Sequence, residues 1–195
     1  MKDKDLIITQ DSIVFADDND NQVMMRWEDP LMAEHANHLA KSQNSSRNIL
    51  EIGFGLGISS QYIYDLFKDN PNFSHTIYEI HPDIANLARS WAADKPEVTI
   101  VEKDWATDIA TISSKIYDGI FYDAHVDPNA KNFRTLVVNP YLSCGGIFTY
   151  FSVNEYDIYS FGTSVHYTYV NVNPTAGCKY FKGTSIPCPY YIKNC

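Results

Sequence analysis

Short apolar runs alternate along the chain with longer stretches in which apolar residues recur every three or four positions, the signature of strands alternating with helices. Leu6-Ile7-Ile8-Thr9 and Ile13-Val14-Phe15 predict two short strands around Gln10-Asp11-Ser12, followed by a polar, acidic turn over 17–21. That turn faintly suggests a calcium loop, but it lacks the glycine and the terminal glutamate of an EF-hand and reads as a solvated turn. Asp29 can cap a helix with Pro30 at its first position, continued by Leu31, Met32, His35, Leu39 and Ala40. A polar link from Lys41 to Arg47 leads into Asn48-Ile49-Leu50-Glu51-Ile52, whose apolar run suits a parallel strand covered on both faces. Ile58, Tyr62, Ile63, Leu66 and Phe67 are spaced for one helix, ended by Asn70-Pro71-Asn72. Residues 76–80 predict a second core strand, Pro82 starts a helix with Ile84, Leu87, Ala88 and Trp91 on one face, and 98–101 predict a third strand. A short helix through Ile109 and Ile112 precedes a fourth strand at 117–123. A helix over 132–142, a turn at Gly145-Gly146 and a fifth strand at 147–150 follow. From Ser152 the pattern changes, and 165–172 and 179–192, rich in Tyr, Val, Gly and Pro, predict antiparallel strands. The expectation is one α/β domain over 1–195, a doubly wound and mostly parallel sheet with an antiparallel C-terminal finish. Within it, 1–46 would cover the substrate, 47–151 form the ligand-binding core and 152–195 supply the last strands.

The candidate chemistry begins at the loop Gly53-Phe54-Gly55-Leu56-Gly57, between the first core strand and its helix. Its glycines let a ligand lie against the backbone, and the helix that follows aims free N–H groups and a positive dipole end at it. The third glycine comes two positions after Gly55, so the loop is not Gly-x-Gly-x-x-Gly, and no Gly-Lys-Ser/Thr follows. The departure leans towards S-adenosylmethionine, which has no pyrophosphate to cradle. Glu79 ends the second strand, where dinucleotide-type folds place an acid on the ribose hydroxyls; an exposed strand-end carboxylate is the plain alternative. At Asp104-Trp105 a carboxylate can accept from an adenine amino group and a backbone N–H can meet a ring nitrogen, while Trp105 is equally well explained as core packing. Asp123 stands at the C-terminal end of the fourth strand, beyond which ligands bind in open α/β sheets. A helix cap is the alternative there. Glu28, next to Trp27, is placed to cover the site from the N-terminal segment, although spacing alone does not bring it to Asp123.

Composition narrows the ligand. The net charge of −9 over 195 residues argues against nucleic acid and anionic membranes and suits a small cationic substrate. No 18-residue apolar run is present and Met1-Lys2-Asp3-Lys4-Asp5 is not a signal peptide, so a cytoplasmic location is expected. The cysteines, Cys144, Cys178, Cys188 and Cys195, form no C-x-x-C pair and no His/Cys cluster with zinc spacing, so free thiols and no metal are expected. Cys178 and Cys188 can pair only if their strands are neighbours. His35, His38, His75, His81 and His166 receive no function.

With these residues in hand, the chain resembles the guanidinoacetate N-methyltransferase family over 23–150 and more weakly to Lys193. The resemblance rests on Val23-Met24-Met25-Arg26-Trp27-Glu28-Asp29-Pro30-Leu31-Met32, Leu50-Glu51-Ile52-Gly53-Phe54-Gly55 and Tyr117-Asp118-Gly119-Ile120-Phe121-Tyr122-Asp123, supported by 145–150 and Gly177-Cys178-Lys179-Tyr180. It implies a Rossmann-like class I methyltransferase with a seven-stranded sheet, using S-adenosylmethionine to methylate a guanidino group. Gly53, Phe54 and Gly55 would lie under the methionine part, Glu79 on the ribose and Trp105 near adenine. Met32 would line the cofactor; Trp27, Glu51, Gly57, Ile80 and Asp104 complete the expected cofactor shell, with Asp123 at its edge. Glu28 and Asp123 match the family's two guanidino-binding acids and are the expected catalytic pair. The chemistry agrees independently: a guanidinium is a poor nucleophile, and it must approach a sulfonium cation. Two unit charges about 4 Å apart repel by about 4 kcal/mol at an effective dielectric constant of about 20. Two carboxylates cancel that repulsion, and Asp123 can take a proton as the nitrogen attacks.

The chain departs from the family pattern at His125, where the family has a tyrosine near the substrate, and at Phe151-Ser152 after the fifth strand. Its 153–172 segment and N-terminal lid are also shorter. His125 and Ser152 thus stay candidates for the substrate's carboxylate end. Free arginine, protein arginine or another guanidino compound remain alternative substrates, and a non-catalytic S-adenosylmethionine-binding module is the alternative of a different class. Monomer and homodimer are both open.

Overall fold

The computed structural model describes residues 2–195, and for residues 18–21 the backbone alone. Strands β1 (Leu6–Ile8), β2 (Ser12–Phe15) and β3 (Asp18–Met25) form a small antiparallel sheet. A 3-10 turn, Arg26–Glu28, leads into helix α1 (Asp29–Leu39). The core then alternates: β4 (Arg47–Ile52), α2 (Ile58–Phe67), β5 (Phe73–Glu79), α3 (Pro82–Ala92), β6 (Val98–Glu102), α4 (Ile109–Ile112) and β7 (Tyr117–Tyr122). A helical stretch follows, from α5 (Ala130–Phe133) through a π-turn at Arg134–Val138 to α6 (Asn139–Tyr141). The chain ends with β8 (Leu142–Tyr150), β9 (Val165–Asn171) and β10 (Ser185–Ile192).

The second sheet has seven strands in the order β6-β5-β4-β7-β8-β10-β9. Strands β4 to β8 are parallel, and β10 runs antiparallel to both β8 and β9. This is the expected Rossmann-like arrangement with its antiparallel finish. Period-two alternation divides the core between two faces. Ile49, Phe121 and Ile147 pack against Leu31, Leu39, Ile63 and Phe67 of α1 and α2. Leu50, Ile52, Ile120, Tyr122, Phe148 and Tyr150 pack on the other face against Phe133, Val137 and Tyr159. All six residues of β7 are buried, as a strand covered on both sides requires.

Several expectations shift by local geometry. Phe15 pairs with Asp18, so the turn is only Ala16-Asp17 and β3 already begins at Asp18. The side chains of the acidic stretch 18–21 lie outside the described residues. Glu28, rather than Asp29, caps α1, a one-residue difference at a helix end. Leu66 and Leu87 are exposed, because the buried stripes of α2 and α3 are narrower than their apolar spacing suggests. Gly145-Gly146 is not a turn: β8 follows its helix directly and carries a bulge there, with Gly145 at φ +70°. Residues 179–184 are loop, and β10 starts at Ser185. β10 meets β8 only from Tyr190 to Ile192, so Pro187 and Pro189 sit where no β8 ladder needs their missing N–H.

The small sheet is tied to the core by hydrogen bonds far apart in sequence. The Gln22 side chain donates to the Gly177 carbonyl at 2.8 Å and accepts from the Lys179 amide at 2.9 Å, and His81 Nε2 meets the Lys4 carbonyl at 2.8 Å. Phe148 lies among Phe133, Tyr150, Tyr159 and Phe161 and is fully buried. Phe148→Ala should therefore cost about 3–5 kcal/mol of unfolding free energy in a urea titration; a cost below about 1 kcal/mol would contradict this packing.

Candidate active site

The C-terminal ends of β4, β5 and β7 open into a cavity of about 250 Å³. Its wall is built where β4 and β7 converge. The Asp123 amide donates to the Ile52 carbonyl at 2.9 Å, and a Cβ on Gly53 would stand 2.1 Å from the Asp123 carbonyl oxygen. Only glycine fits at residue 53, at φ +92°. Gly57, at φ +72°, is the left-handed N-cap of α2, and its missing Cβ leaves room for the Phe54 ring. Met24 of β3 closes the loop from the other side, its sulfur accepting from the Leu56 amide at 3.1 Å.

Glu79 holds the loop from beneath. Its carboxylate accepts from the Phe54 amide at 3.0 Å and the His81 amide at 2.8 Å. Burial pushes its pKa up, and those backbone donors pull it back. Each oxygen keeps a lone pair for a further donor, such as a ribose hydroxyl. Asp104 caps the next turn, accepting from the Ala106 amide at 2.9 Å. Trp105 is buried edge-on to Phe133, and its Nε1–H donates to Asp127 at 2.6 Å. The same Asp127 oxygen accepts from the Tyr122 hydroxyl, and the other accepts from the Asn129 amide at 2.7 Å, so one carboxylate fixes the loop after β7.

The acids converge on the α1 face. Asp123 lines the cavity, and its pKa is raised well above the usual carboxylate range, first by burial and then by the negative charges of Glu28, Glu51 and Glu79. Glu28 is 3 % exposed; its Oε1 accepts from the Met25 amide at 2.8 Å and from the Tyr180 hydroxyl at 2.5 Å. Burial raises its pKa to about 7 against those two bonds. Trp27 stacks on Phe181, with ring centroids 5.8 Å apart, over the same corner.

A model of the family described as guanidinoacetate N-methyltransferase matches residues 17–172. The chain belongs to that family. No curated protein sequence matches the chain. Solved structures share the fold at low identity. A spermidine synthase from Thermotoga maritima is 15% identical with a TM-score of 0.66, covering 93% of this chain, which spans 66% of that protein's length. A precorrin-6y C5,15-methyltransferase from Geobacter metallireducens is 19% identical with a TM-score of 0.60, covering 82% of this chain and 87% of its own. A plantazolicin methyltransferase in complex with SAH is 14% identical with a TM-score of 0.53, covering 87% of this chain and 84% of its own. The family is one of S-adenosylmethionine-dependent methyltransferases. The site suits that cofactor: a glycine loop open to the cavity, a buried carboxylate with spare acceptors, and no Gly-Lys-Ser/Thr sequence to cradle a phosphate.

Of the site residues expected from the sequence, Gly53, Phe54, Gly55, Glu79, Ile80, Asp104, Trp105, Asp123 and His125 line the cavity. Others do not. Glu51 points to the α2 side of β4 and is fully buried, accepting from Ser59 at 2.5 Å and Ser60 at 2.7 Å with His75 at 2.8 Å. Its oxygens hold the start of α2. Met32 is fully buried in the core under α1, Trp27 packs behind the wall, and Gly57 acts only as the cap. Ser152 closes a turn of its own, donating to the Asn154 carbonyl at 2.6 Å. Glu28 sits behind the cavity wall, within the electrostatic reach of Asp123. His125 packs on Phe15 of the small sheet, centroids 5.9 Å apart, and burial lowers its pKa. Sequence reasoning misses Met24, Tyr78, Lys103, Asp127 and Tyr180. Asp127 follows Asp123 closely enough to be weighed with the strand end; Tyr180 carries no local signal.

Glu79→Ala removes the acceptors of the Phe54 and His81 amides together with those spare lone pairs. It should weaken S-adenosylmethionine binding about 10- to 100-fold by calorimetry; an unchanged dissociation constant would take Glu79 out of the site.

Proposed function

We propose that the protein methylates a guanidino nitrogen, with guanidinoacetate as the first-choice substrate and creatine as its product. What supports this reading is the family match over residues 17–172, with Asp123 lining the cavity at the end of β7 and Glu28 buried close enough for its charge to raise the Asp123 carboxyl. Buried carboxyls held in this way favour a cation that replaces their protons. A planar guanidinium fits because it presents parallel N–H donors to carboxylates. The cofactor, when bound, supplies an electrophilic methyl group on a positively charged sulfur.

The chain's own residues do the rest. Glu28 Oε1 is already engaged by Met25 and Tyr180; its other oxygen would meet the guanidinium once substrate entry opens the wall that separates Glu28 from the cavity. Asp123 accepts N–H donors on the second side. As the nitrogen attacks, its proton passes to the Asp123 carboxylate, whose raised pKa strengthens it as a base. Holding the nitrogen in line with the methyl group supplies much of the rate. His125 lines the cavity and is the candidate to meet the far end of a small substrate.

Glu28→Gln and Asp123→Asn should each lower kcat/KM at least about a hundredfold while leaving the cofactor dissociation constant within about threefold. A methyl-transfer assay over guanidinoacetate, arginine and guanidinopropionate assigns the substrate. Full activity in either variant refutes the roles of Glu28 and Asp123, and cofactor binding without turnover of any guanidine would favour the non-catalytic module.

The ligand-free protein should also show what the pairing costs. Below pH 4.5 Glu28 is protonated in both folded and unfolded chains. Between 4.5 and about 7 the unfolded chain has lost that proton while the folded chain retains it, so stability falls as pH rises. The loss is of order 3 kcal/mol and levels off above about 7. Glu28→Gln should remove this slope, becoming more stable relative to the parent by that amount between about pH 4 and about pH 8 in denaturant titrations; parallel pH profiles would contradict the buried placement of Glu28.

A further inference from the structure

On the α1 face of the sheet, outside the cavity, three side chains meet that the methyl-transfer reading does not use. His35 and His38 lie one turn apart on α1, and Cys188 reaches them from β10. All three are buried, at 1 %, 0 % and 0 % exposure. Cys188 Sγ is 3.3 Å from His35 Nδ1 and 3.6 Å from His38 Nδ1, and one donor atom from each residue lies within 4.8 Å of the others. The edge of a tetrahedron with a zinc–sulfur bond of about 2.3 Å and a zinc–nitrogen bond of about 2.0 Å is about 3.5 Å. The two S···N distances bracket it.

The surroundings orient the ligands as a metal site requires. His38 Nε2 faces the Glu34 carboxylate at 3.1 Å, and Thr168 donates to the same oxygen at 3.2 Å. An Nε2–H donated to Glu34 leaves the Nδ1 lone pair towards Cys188, the carboxylate–histidine–metal arrangement. His35 Nδ1 faces the Thr149 hydroxyl at 2.6 Å, while that hydroxyl gives its proton to the Pro189 carbonyl at 2.6 Å. His35 Nε2 is buried with no hydrogen-bond partner. Binding through Nδ1 moves the ring proton to Nε2, which gives up the Thr149 contact and leaves a buried N–H without a protein partner, so the metal bond must offset both.

We propose that His35, His38 and Cys188 bind one thiophilic d10 cation of the zinc class, which clips α1 to the C-terminal strand β10. The Cys188 S–H bond breaks as the sulfur–metal bond forms, and one proton is released to solvent per cation bound. Three protein ligands leave a fourth position for a water, and the buried cluster joins the helix that begins after Glu28 to the strand that follows Tyr180, Glu28's hydrogen-bond donor. It does not depend on the identity of the methyl acceptor.

The test uses the full chain purified from medium containing zinc, and the same chain refolded with Zn2+ or Co2+. The expected result is one zinc per chain, a thiolate-to-cobalt absorption band in the Co2+ form, and release of about one proton per cation in unbuffered titration. Cys188→Ser and His38→Gln should each weaken Zn2+ binding at least about a hundredfold in competition with a chromophoric chelator, and Cys188→Ser should abolish the cobalt band. Should a variant not fold, the parent chain still decides: its urea midpoint should rise with added Zn2+ and the cobalt band should be present. A parent chain without zinc and without the band, or metal retained in both variants, overturns the proposal and leaves a hydrogen-bonded cluster or an ion bound elsewhere.

Discussion

The site depends on how closely β4 approaches β7 at their C-terminal ends. With the Asp123 amide bonded to the Ile52 carbonyl, the Asp123 carbonyl occupies the place a side chain at residue 53 would need. A larger residue at 53 would have to push the two strands apart and swing the Asp123 carboxyl away from the loop. The same contact makes residue 53 turn with a positive φ, and that turn delivers the Phe54 amide to Glu79. One steric condition therefore places the general-base candidate, the cofactor loop and the ribose-binding candidate together. The electrostatics follow from it, since Asp123 is brought within reach of the charges of Glu28, Glu51 and Glu79.

Such a concentration of acids is costly in a ligand-free protein, because burial removes each carboxyl from water while its neighbours carry the same sign. The net charge of −9 sets the sign of the long-range field around it. Glu51 faces elsewhere: its oxygens hold Ser59 and Ser60 at the start of α2, while its charge still acts on Asp123.

How much of this was legible in the sequence follows the range of the interactions. Gly53, Glu79, Asp104 and Asp123 were legible because each ends a strand or opens a loop, and an open parallel sheet binds ligands beyond its strand ends. Glu51 and Met32 were misplaced because both adjoin site residues in sequence while facing elsewhere in space. Glu51 lies two residues before Gly53 but its side chain follows the strand's alternation towards α2; Met32 follows the helical period of α1 into the core. Asp127 and Met24 act through contacts between separate elements, and Tyr180 reaches Glu28 from 152 residues away in the chain. No periodicity records such a contact. The Gly145-Gly146 turn failed for a local reason, because paired glycines serve a bulge as well as a turn.

The Tyr180–Glu28 bond shows why the C-terminal segment matters although it carries none of the cofactor loop. Glu28 lies where the 3-10 turn meets α1, a position with its own freedom of approach to Asp123. Tyr180 removes that freedom by occupying one oxygen, and burial of the pair raises the pKa of both groups. Tyr180 in turn is held through neighbours of the small sheet, since Gln22 of β3 bonds to both Gly177 and Lys179. Glu28 is thus fixed by three separate pieces of chain: β3, the start of α1 and the loop before β10. The loop at the other end rests on the β4–β7 contact instead, so the two ends of the site are held by different means: strand convergence at one, hydrogen bonds between distant segments at the other.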